Sequence, residues 1–225
     1  MRTGLAALIL AALAAWSGPS AGEPINVGDA KLAARAYREA GDYERDLASV
    51  IAEAAAWLDE AAPGADRPAV VLDVDETALS NWEVILANDF GRFATGDCEL
   101  PEGPCGWAAW DQLGRSPPLA PTLVLFETAR ELDVAVFFIT GRPESQREAT
   151  ERNLREAGYD GFVAVLMVPE GQRFARAADF KAPQRAAIEA EGYTIIANIG
   201  DQPSDLEGGH AQRTFLLANP FYRIP

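Results

Sequence analysis

The stretch VVLDVDETALS, residues 70–80, places three acids directly behind a run of branched apolar residues. A short, continuously apolar run of this kind is typical of a strand buried on both faces of a parallel sheet. Asp73, Asp75 and Glu76 would repel one another at its end, and the stretch contains no Lys or Arg to neutralise them. Ligands of open parallel sheets bind outside the carboxyl ends of the strands, so the acids indicate a binding site there.

The rest of the chain alternates apolar runs with helical patterns. Four further apolar runs lie at residues 134–139, 162–168, 194–199 and 214–217. The segments 121–132, 144–157 and 183–191 between them are helical in pattern, and the last two stop at Gly158 and Gly192, as helices commonly do. This alternation predicts an α/β fold with a Rossmann-like parallel sheet flanked by helices.

Two segments fall outside the alternation. Residues 27–62 carry apolar side chains at helical spacing, interrupted near Gly41, which predicts an N-terminal helical extension. Residues 78–120 are rich in Gly, Pro and aromatics and predict a short cap-like insertion over the sheet. The aromatics there either stack on a ring of a substrate or form the core of a small subdomain. Within the insertion, Cys98 and Cys105 are predicted to close a small loop by a disulfide.

Residues 1–22 have the pattern of a secretory signal peptide. Arg2 precedes an apolar stretch shorter than the roughly 20 residues that span a bilayer, and small residues follow in SGPSAG. We therefore predict an exported protein, periplasmic or extracellular, with residues 23–225 as a single domain that does not bind the membrane. The net charge of −15 disfavours nucleic acid as a partner, because Lys and Arg bind its phosphates. The sequence does not indicate an oligomeric state.

Other segments bring polar residues to the edge that Asp73 and Asp75 occupy. Thr140 ends the second apolar run, and Asp201 follows the fourth in the segment GDQPSD. Carboxylates without nitrogen or sulfur ligands suit Mg²⁺ better than zinc. With a phosphate ester bound, Asp73 could attack phosphorus to form an aspartyl phosphate. Asp75 could then protonate the leaving alcohol and later deprotonate the hydrolytic water.

Lys181 lies ahead of the predicted helix that leads into the fourth run and is one of only two lysines in the chain. With Thr140 it is predicted to bind the phosphoryl group, since such chemistry is mostly positioning and charge stabilisation. The neighbouring Arg142 is open to three interpretations. It assists phosphate binding, caps a helix or pairs with Glu144.

Four motifs in order carry a family resemblance. DVDET, the run ending in Thr140, Lys181 and GDQPSD resemble the motifs of the haloacid dehalogenase-like (HAD) superfamily. LSNW, TGRPESQREATERNLREAGY, GYTIIANIGDQPSDL and ANPFYRIP further resemble its exported acid phosphatases, the subfamily IIIB branch that includes plant vegetative storage proteins and bacterial outer-membrane acid phosphatases. The resemblance implies a Mg²⁺-dependent phosphatase that acts on small phosphate monoesters.

The resemblance also implies a role for each residue. Asp73 matches the nucleophile and a metal-binding carboxylate, and Asp75 matches the acid/base whose backbone carbonyl binds the metal. Asp201 matches the second metal carboxylate, and Asp205 is either a ligand or lies just behind the ligands. Thr140 and Lys181 match the phosphate-binding pair.

Two other protein classes share some of these residue types. A response-regulator receiver is disfavoured by the order of the acids, and a haloacid dehalogenase proper would lack an acid at the position of Asp75. Two further interpretations stay open. One is a non-enzymatic storage or binding protein, which the presence of Asp73 disfavours. The other is a phosphotransferase that uses the same residues.

Overall fold

Five parallel strands form one sheet in the computed structural model, which describes residues 24–225. The predicted signal peptide, residues 1–22, lies outside the described residues. The strands are β1 (Pro68–Leu72), β2 (Ala135–Pro143), β3 (Ala164–Val168), β4 (Thr194–Gly200) and β5 (Arg213–Leu216). Their order across the sheet is β3-β2-β1-β4-β5, and every neighbouring pair is parallel. The predicted α/β fold is confirmed, and the strand that leads into Asp73 lies at its centre.

Helices cover both faces of this sheet. They are α1 (Val27–Glu39), α2 (Asp42–Ala61), α3 (Trp82–Ala87), α4 (Trp107–Leu113), α5 (Ala120–Glu131), α6 (Arg147–Glu156), α7 (Ala177–Ala190) and α8 (Pro203–Leu206). Successive side chains of β1 point to opposite faces. Val70 and Leu72 join the large core that contains α2 and α5, whereas Ala69 and Val71 join a smaller core beneath α7. A strand buried on both faces explains the continuous apolar run in the sequence.

The N-terminal extension consists of α1 and α2, as predicted. The chain turns between them at Gly41, whose φ of 74° lies in the left-handed region that glycine adopts readily. In α2, Leu47, Ile51 and Leu58 recur on one face and are buried against the sheet.

Helix α7 differs from the prediction, because it begins at Ala177 and not near Pro183. Lys181 therefore lies inside the helix and not ahead of it. The side chain of Asp179 accepts a hydrogen bond from the backbone N–H of Arg176 at 3.2 Å and caps the true start. Pro183 interrupts the backbone hydrogen bonding, but buried Phe180 on the same helix packs against the sheet and favours the longer helix.

The segment 78–120 contains α3, α4 and the loop between them. Cys98 and Cys105 form a disulfide in that loop, as predicted. Leu79, Ile85 and Trp110 are buried in the same hydrophobic core as α2, so the segment packs onto the sheet and does not form a separate core. Among residues 24–225, no helix has both the length and the apolar character needed to cross a bilayer.

Candidate active site

A cavity of about 600 Å³ opens at the carboxyl ends of the strands, where the sequence predicts a site. The predicted acids and the lysine all line it: Asp73, Asp75, Lys181, Asp201 and Asp205. Residues of other segments complete its walls: Gly141 and Arg142 at the carboxyl end of β2, Trp107 and Asp111 from α4, and Tyr222 near the C-terminus. Six separate segments of the sequence thus converge on one cavity.

Asp73, Asp201 and Asp205 form a buried cluster suited to a metal ion. One carboxylate oxygen of each lies within 4.8 Å of the corresponding oxygens of the other two. Burial raises the pKa of Asp73 well above its usual value and that of Asp201 to about 7. The negatively charged form of this cluster is therefore costly on its own, and a bound cation would relieve that cost. The donors are oxygens alone, so the cluster fits a hard divalent cation such as Mg²⁺.

Lys181 supplies positive charge to the same cluster. Its Nζ donates to Oδ1 of Asp73 at 2.5 Å and to Oδ1 of Asp205 at 2.6 Å, and all three side chains are buried. Burial alone would lower the pKa of Lys181, but the two carboxylates outweigh burial and raise it above its usual value. Lys181 is therefore positively charged at the floor of the cavity.

Backbone geometry fixes Asp205 in this cluster. A side chain at position 200 would place its Cβ 2.5 Å from the Cβ of Asp205, so only Gly200 leaves room for it. Oδ2 of Asp205 accepts a hydrogen bond from the backbone N–H of Gln202 at 2.9 Å. The carboxylate is therefore held in place even without a ligand.

Asp201 is held by two amides that the sequence analysis did not identify. Asn219 Nδ2 donates to its Oδ2 at 2.6 Å, and Gln202 Nε2 donates to the same oxygen at 2.5 Å. Thr77 Oγ1 donates to Oδ1 at 3.3 Å. Asn219 belongs to the segment ANPFYRIP, which carries part of the family resemblance but does not by itself indicate this contact.

Asp75 is bound by a different cation. Arg142 Nη2 donates to its Oδ1 at 2.6 Å and Nε donates to its Oδ2 at 3.2 Å. Burial alone would raise the pKa of Asp75, but Arg142 and a hydrogen bond from Asn81 lower it below its usual value. The interpretation that Arg142 pairs with Glu144 is wrong, because Glu144 binds Arg147 at 2.6 Å.

Glu76 has a third set of partners. It accepts hydrogen bonds from the backbone N–H of Asn81 at 2.6 Å and from the hydroxyl of Tyr222. Burial raises the pKa of Glu76 to about 7. The three adjacent acids of the motif are thus separated: Asp73 faces Lys181, Asp75 faces Arg142, and Glu76 faces neutral donors. Separate partners allow them to lie so close in sequence.

Thr140 is completely buried within β2. Its hydroxyl accepts a hydrogen bond from the backbone N–H of Arg142 at 3.2 Å. The residues of β2 that line the cavity are Gly141, Arg142 and Pro143, which come directly after Thr140 in the strand.

This chain is similar to acid phosphatases and to plant storage proteins. The model of the HAD superfamily, subfamily IIIB (acid phosphatase), matches residues 19–225. Acid phosphatase 1 of Solanum lycopersicum is 32% identical over 190 residues, which are 84% of this chain and 72% of that protein. Vegetative storage protein 1 of Arabidopsis thaliana is 30% identical over 156 residues, which are 69% of this chain and 55% of that protein. The chain thus spans little more than half of the storage protein.

Solved structures share the fold. The class C acid phosphatase of Bacillus anthracis superposes with a TM-score of 0.66 at 20% identity, covering 87% of this chain and 85% of that one. The same enzyme with tungstate bound gives a TM-score of 0.68 at 20% identity, covering 88% and 86% of the two chains. At this level of identity the likeness concerns the fold alone.

Proposed function

We propose that this chain, which belongs to the acid phosphatases of subfamily IIIB in the HAD superfamily, is an exported, Mg²⁺-dependent phosphomonoesterase that works through an aspartyl phosphate on Asp73. The observation that carries the proposal is the buried cluster of Asp73, Asp201 and Asp205 against Lys181 at the floor of an open cavity. Buried acids with perturbed pKa values in a cleft are typical of catalytic sites.

The residues of the cluster have separate roles in this proposal. Asp73 and Asp201 hold Mg²⁺ through their carboxylates, with Asp205 beside them and the backbone carbonyl of Asp75 as a further ligand. When bound, the ion neutralises charge on the phosphoryl oxygens. Lys181 adds positive charge where negative charge develops during transfer, and Thr140 contributes to phosphate binding.

The reaction proceeds in two steps. In the first, a carboxylate oxygen of Asp73 attacks phosphorus, the ester P–O bond breaks, and Asp75, in the protonated form that it adopts at acid pH, passes its carboxyl proton to the leaving oxygen. In the second, the carboxylate of Asp75 takes a proton from water, whose oxygen attacks phosphorus. The bond between phosphorus and Asp73 then breaks, which releases phosphate and restores Asp73.

The substrates are small phosphate monoesters. The cavity volume of about 600 Å³ lies within the range typical of small-molecule sites. Arg92 and Arg173 line its walls, which supports an anionic substrate in a chain of otherwise negative net charge. The Cys98–Cys105 disulfide supports an oxidising compartment, as expected for an exported protein.

A second candidate is a storage protein without catalysis. It is favoured by the similarity to a vegetative storage protein, and it is disfavoured by the intact set of Asp73, Asp75 and Lys181 in one cavity. A phosphotransferase would use the same residues with an alcohol in place of water. Product analysis with an added alcohol distinguishes the phosphotransferase, which transfers phosphate to the alcohol, from the hydrolase, which transfers it to water.

The direct test is hydrolysis of 4-nitrophenyl phosphate by the purified protein. We expect turnover that EDTA abolishes and Mg²⁺ restores, and an acid-stable ³²P label on Asp73 that hydroxylamine removes. A panel of nucleotides and sugar phosphates then identifies the preferred ester. Absence of hydrolysis for every ester in the presence of Mg²⁺ would leave the storage function as the better account.

A further inference from the structure

Arg142 is a buried cation that the two-step reaction leaves without a role. Its side chain is 3% exposed, and the guanidinium donates two hydrogen bonds to the carboxylate of Asp75. On its other side, Nη1 donates to the hydroxyl of Thr150 at 3.3 Å. Burying a guanidinium is costly unless its partners are fixed in good geometry. These contacts fix the position of Arg142. Arg142 in turn fixes the position of Asp75.

Asp111 of α4 shares the same guanidinium. Its Oδ1 lies 3.3 Å from Arg142 Nη2, and its side chain is 4% exposed. That oxygen accepts no hydrogen bond from the described residues, so the contact is an ion pair without hydrogen-bond geometry. A buried carboxylate with an unpartnered oxygen would be destabilising in a purely structural role.

The neighbouring residue of α4 reaches Asp75 by a second route. Trp110 Nε1 donates to Oδ1 of Asn81 at 2.7 Å, and Ser116 Oγ donates to the same oxygen at 3.0 Å. The amide nitrogen of Asn81 in turn donates to Oδ1 of Asp75 at 2.8 Å. Consecutive residues of α4 thus act on one carboxyl group, Asp111 through Arg142 and Trp110 through Asn81.

We propose that Arg142 and Asp111 are positioning residues, which hold the carboxyl group of Asp75 apart from the acid cluster and directed at the leaving group. The inference rests on the proposed function, in which Asp75 exchanges a proton with the leaving alcohol and then with water. Arg142 engages both oxygens of Asp75, so its carboxylate is not free to join Asp73 around the cation. Asp111 keeps the guanidinium in that orientation, which makes the segment 78–120 part of the catalytic apparatus.

A leaving-group series tests this assignment. Proton donation matters most for poor leaving groups, so a misplaced Asp75 slows alkyl phosphates more than dinitrophenyl phosphate. For Arg142→Gln we expect kcat/KM to fall roughly 10²-fold on an alkyl phosphate and less than about tenfold on 2,4-dinitrophenyl phosphate, in the range of general acid catalysis. We compare kcat/KM because it reports the first step, whereas kcat also contains the second step, in which Asp75 acts for every ester. For Asp111→Asn we expect the same order of esters with roughly a tenth of the fold-loss, and KM should change less than about threefold.

Controls separate positioning from folding. Arg45→Gln removes an exposed arginine that pairs with Asp42 on α2, away from the cavity, and it should leave kcat/KM unchanged on every ester. In an Asp75→Asn background, Arg142→Gln should lower kcat by less than about threefold, because residues that act through one group are not additive. Should Arg142→Gln fail to fold, Arg142→Lys and Asp111→Asn carry the same test.

The outcomes are distinct. A loss of kcat/KM of equal size for every leaving group, or no loss, would overturn the positioning role while the wild-type activity upholds the phosphatase. A wild-type protein that hydrolyses no ester would overturn the proposed function and this inference with it. Additive losses of Asp75→Asn and Arg142→Gln would show that Arg142 acts separately from Asp75.

Discussion

Two groups of carboxylates meet at the same edge of the sheet and are neutralised in different ways. Asp73, Asp201 and Asp205 share one ammonium group, that of Lys181. Asp75 and Asp111 share one guanidinium, that of Arg142. The first group, the acid cluster, has more unbalanced negative charge than the second, the Arg142 group.

The difference teaches what each group is suited to do. Lysine is a compact point charge that leaves carboxylate oxygens free for a further cation, whereas the planar guanidinium occupies both oxygens of one carboxylate. The acid cluster therefore leaves oxygens free for a divalent ion, whereas in the Arg142 group both oxygens of Asp75 are already bound by the guanidinium. Metal binding and proton transfer can be assigned to neighbouring acids because their cationic partners differ.

The largest effect is expected from removing the nucleophile of the acid cluster. Asp73→Asn should lower kcat by roughly 10³-fold or more, because it removes the carboxylate that is proposed to form the acyl phosphate. Lys181 keeps Asp205 as a partner, so the fold should persist. Hydrolysis of 4-nitrophenyl phosphate and a thermal melt measure the two effects, with the exposed Asp59→Asn as the control. Near-normal turnover of Asp73→Asn would refute the role of Asp73.

Metal removal should separate the two groups. Mg²⁺ added to the metal-free protein at about one hundred times its Kd should raise the free energy of unfolding by about 2.7 kcal/mol. This appears as a higher melting temperature. Asp201→Asn should abolish most of this increase, because it removes a carboxylate of the acid cluster. Asp111→Asn should retain it, because Asp111 belongs to the Arg142 group. Equal losses in both variants would contradict the division, and scanning calorimetry with and without EDTA is the measurement.

A smaller effect is expected from the disulfide that closes the loop preceding α4. Replacing Cys98 and Cys105 together by Ser should lower the free energy of unfolding by about 2–3 kcal/mol, from loop entropy alone. Urea unfolding measures this loss. The stabilisation by Mg²⁺ should be unchanged, because the acid cluster is built on the sheet and not on this loop. Loss of the Mg²⁺ stabilisation in this variant would show that the acid cluster depends on the loop before α4, which would contradict the division into two groups.

The sheet was predictable because its strands are apolar on both faces. The run before Asp73 and the run before Asp201 each end in polar residues, and the carboxyl ends of parallel strands meet at one edge. The start of α7 was not predictable in the same way. Pro183 reads as a helix boundary by local rules, but packing of the residues before it extends the helix to Ala177.

Within the site, the residues of the four motifs could be identified, but their hydrogen-bonding partners could not. Asp111 lies in an irregular, aromatic segment, and no periodicity places it beside Arg142. Asn219 and Tyr222 are single polar residues near the end of the chain, and only tertiary folding brings them to Asp201 and Glu76. Contacts between distant segments depend on packing that local patterns do not encode.

The central place of β1 in the sheet has a consequence for how the chain matures. Ala69 pairs with Ala135 on one side and with Ile195 on the other, so most of the polypeptide must be synthesised before both edges of this strand are covered. Closing such long loops is entropically slow and gives a high contact order. A nascent chain that stops short of β4 would expose an unpaired apolar edge prone to aggregation. Asp73 can meet Asp201 only after that last large closure, so catalytic competence arises late in folding.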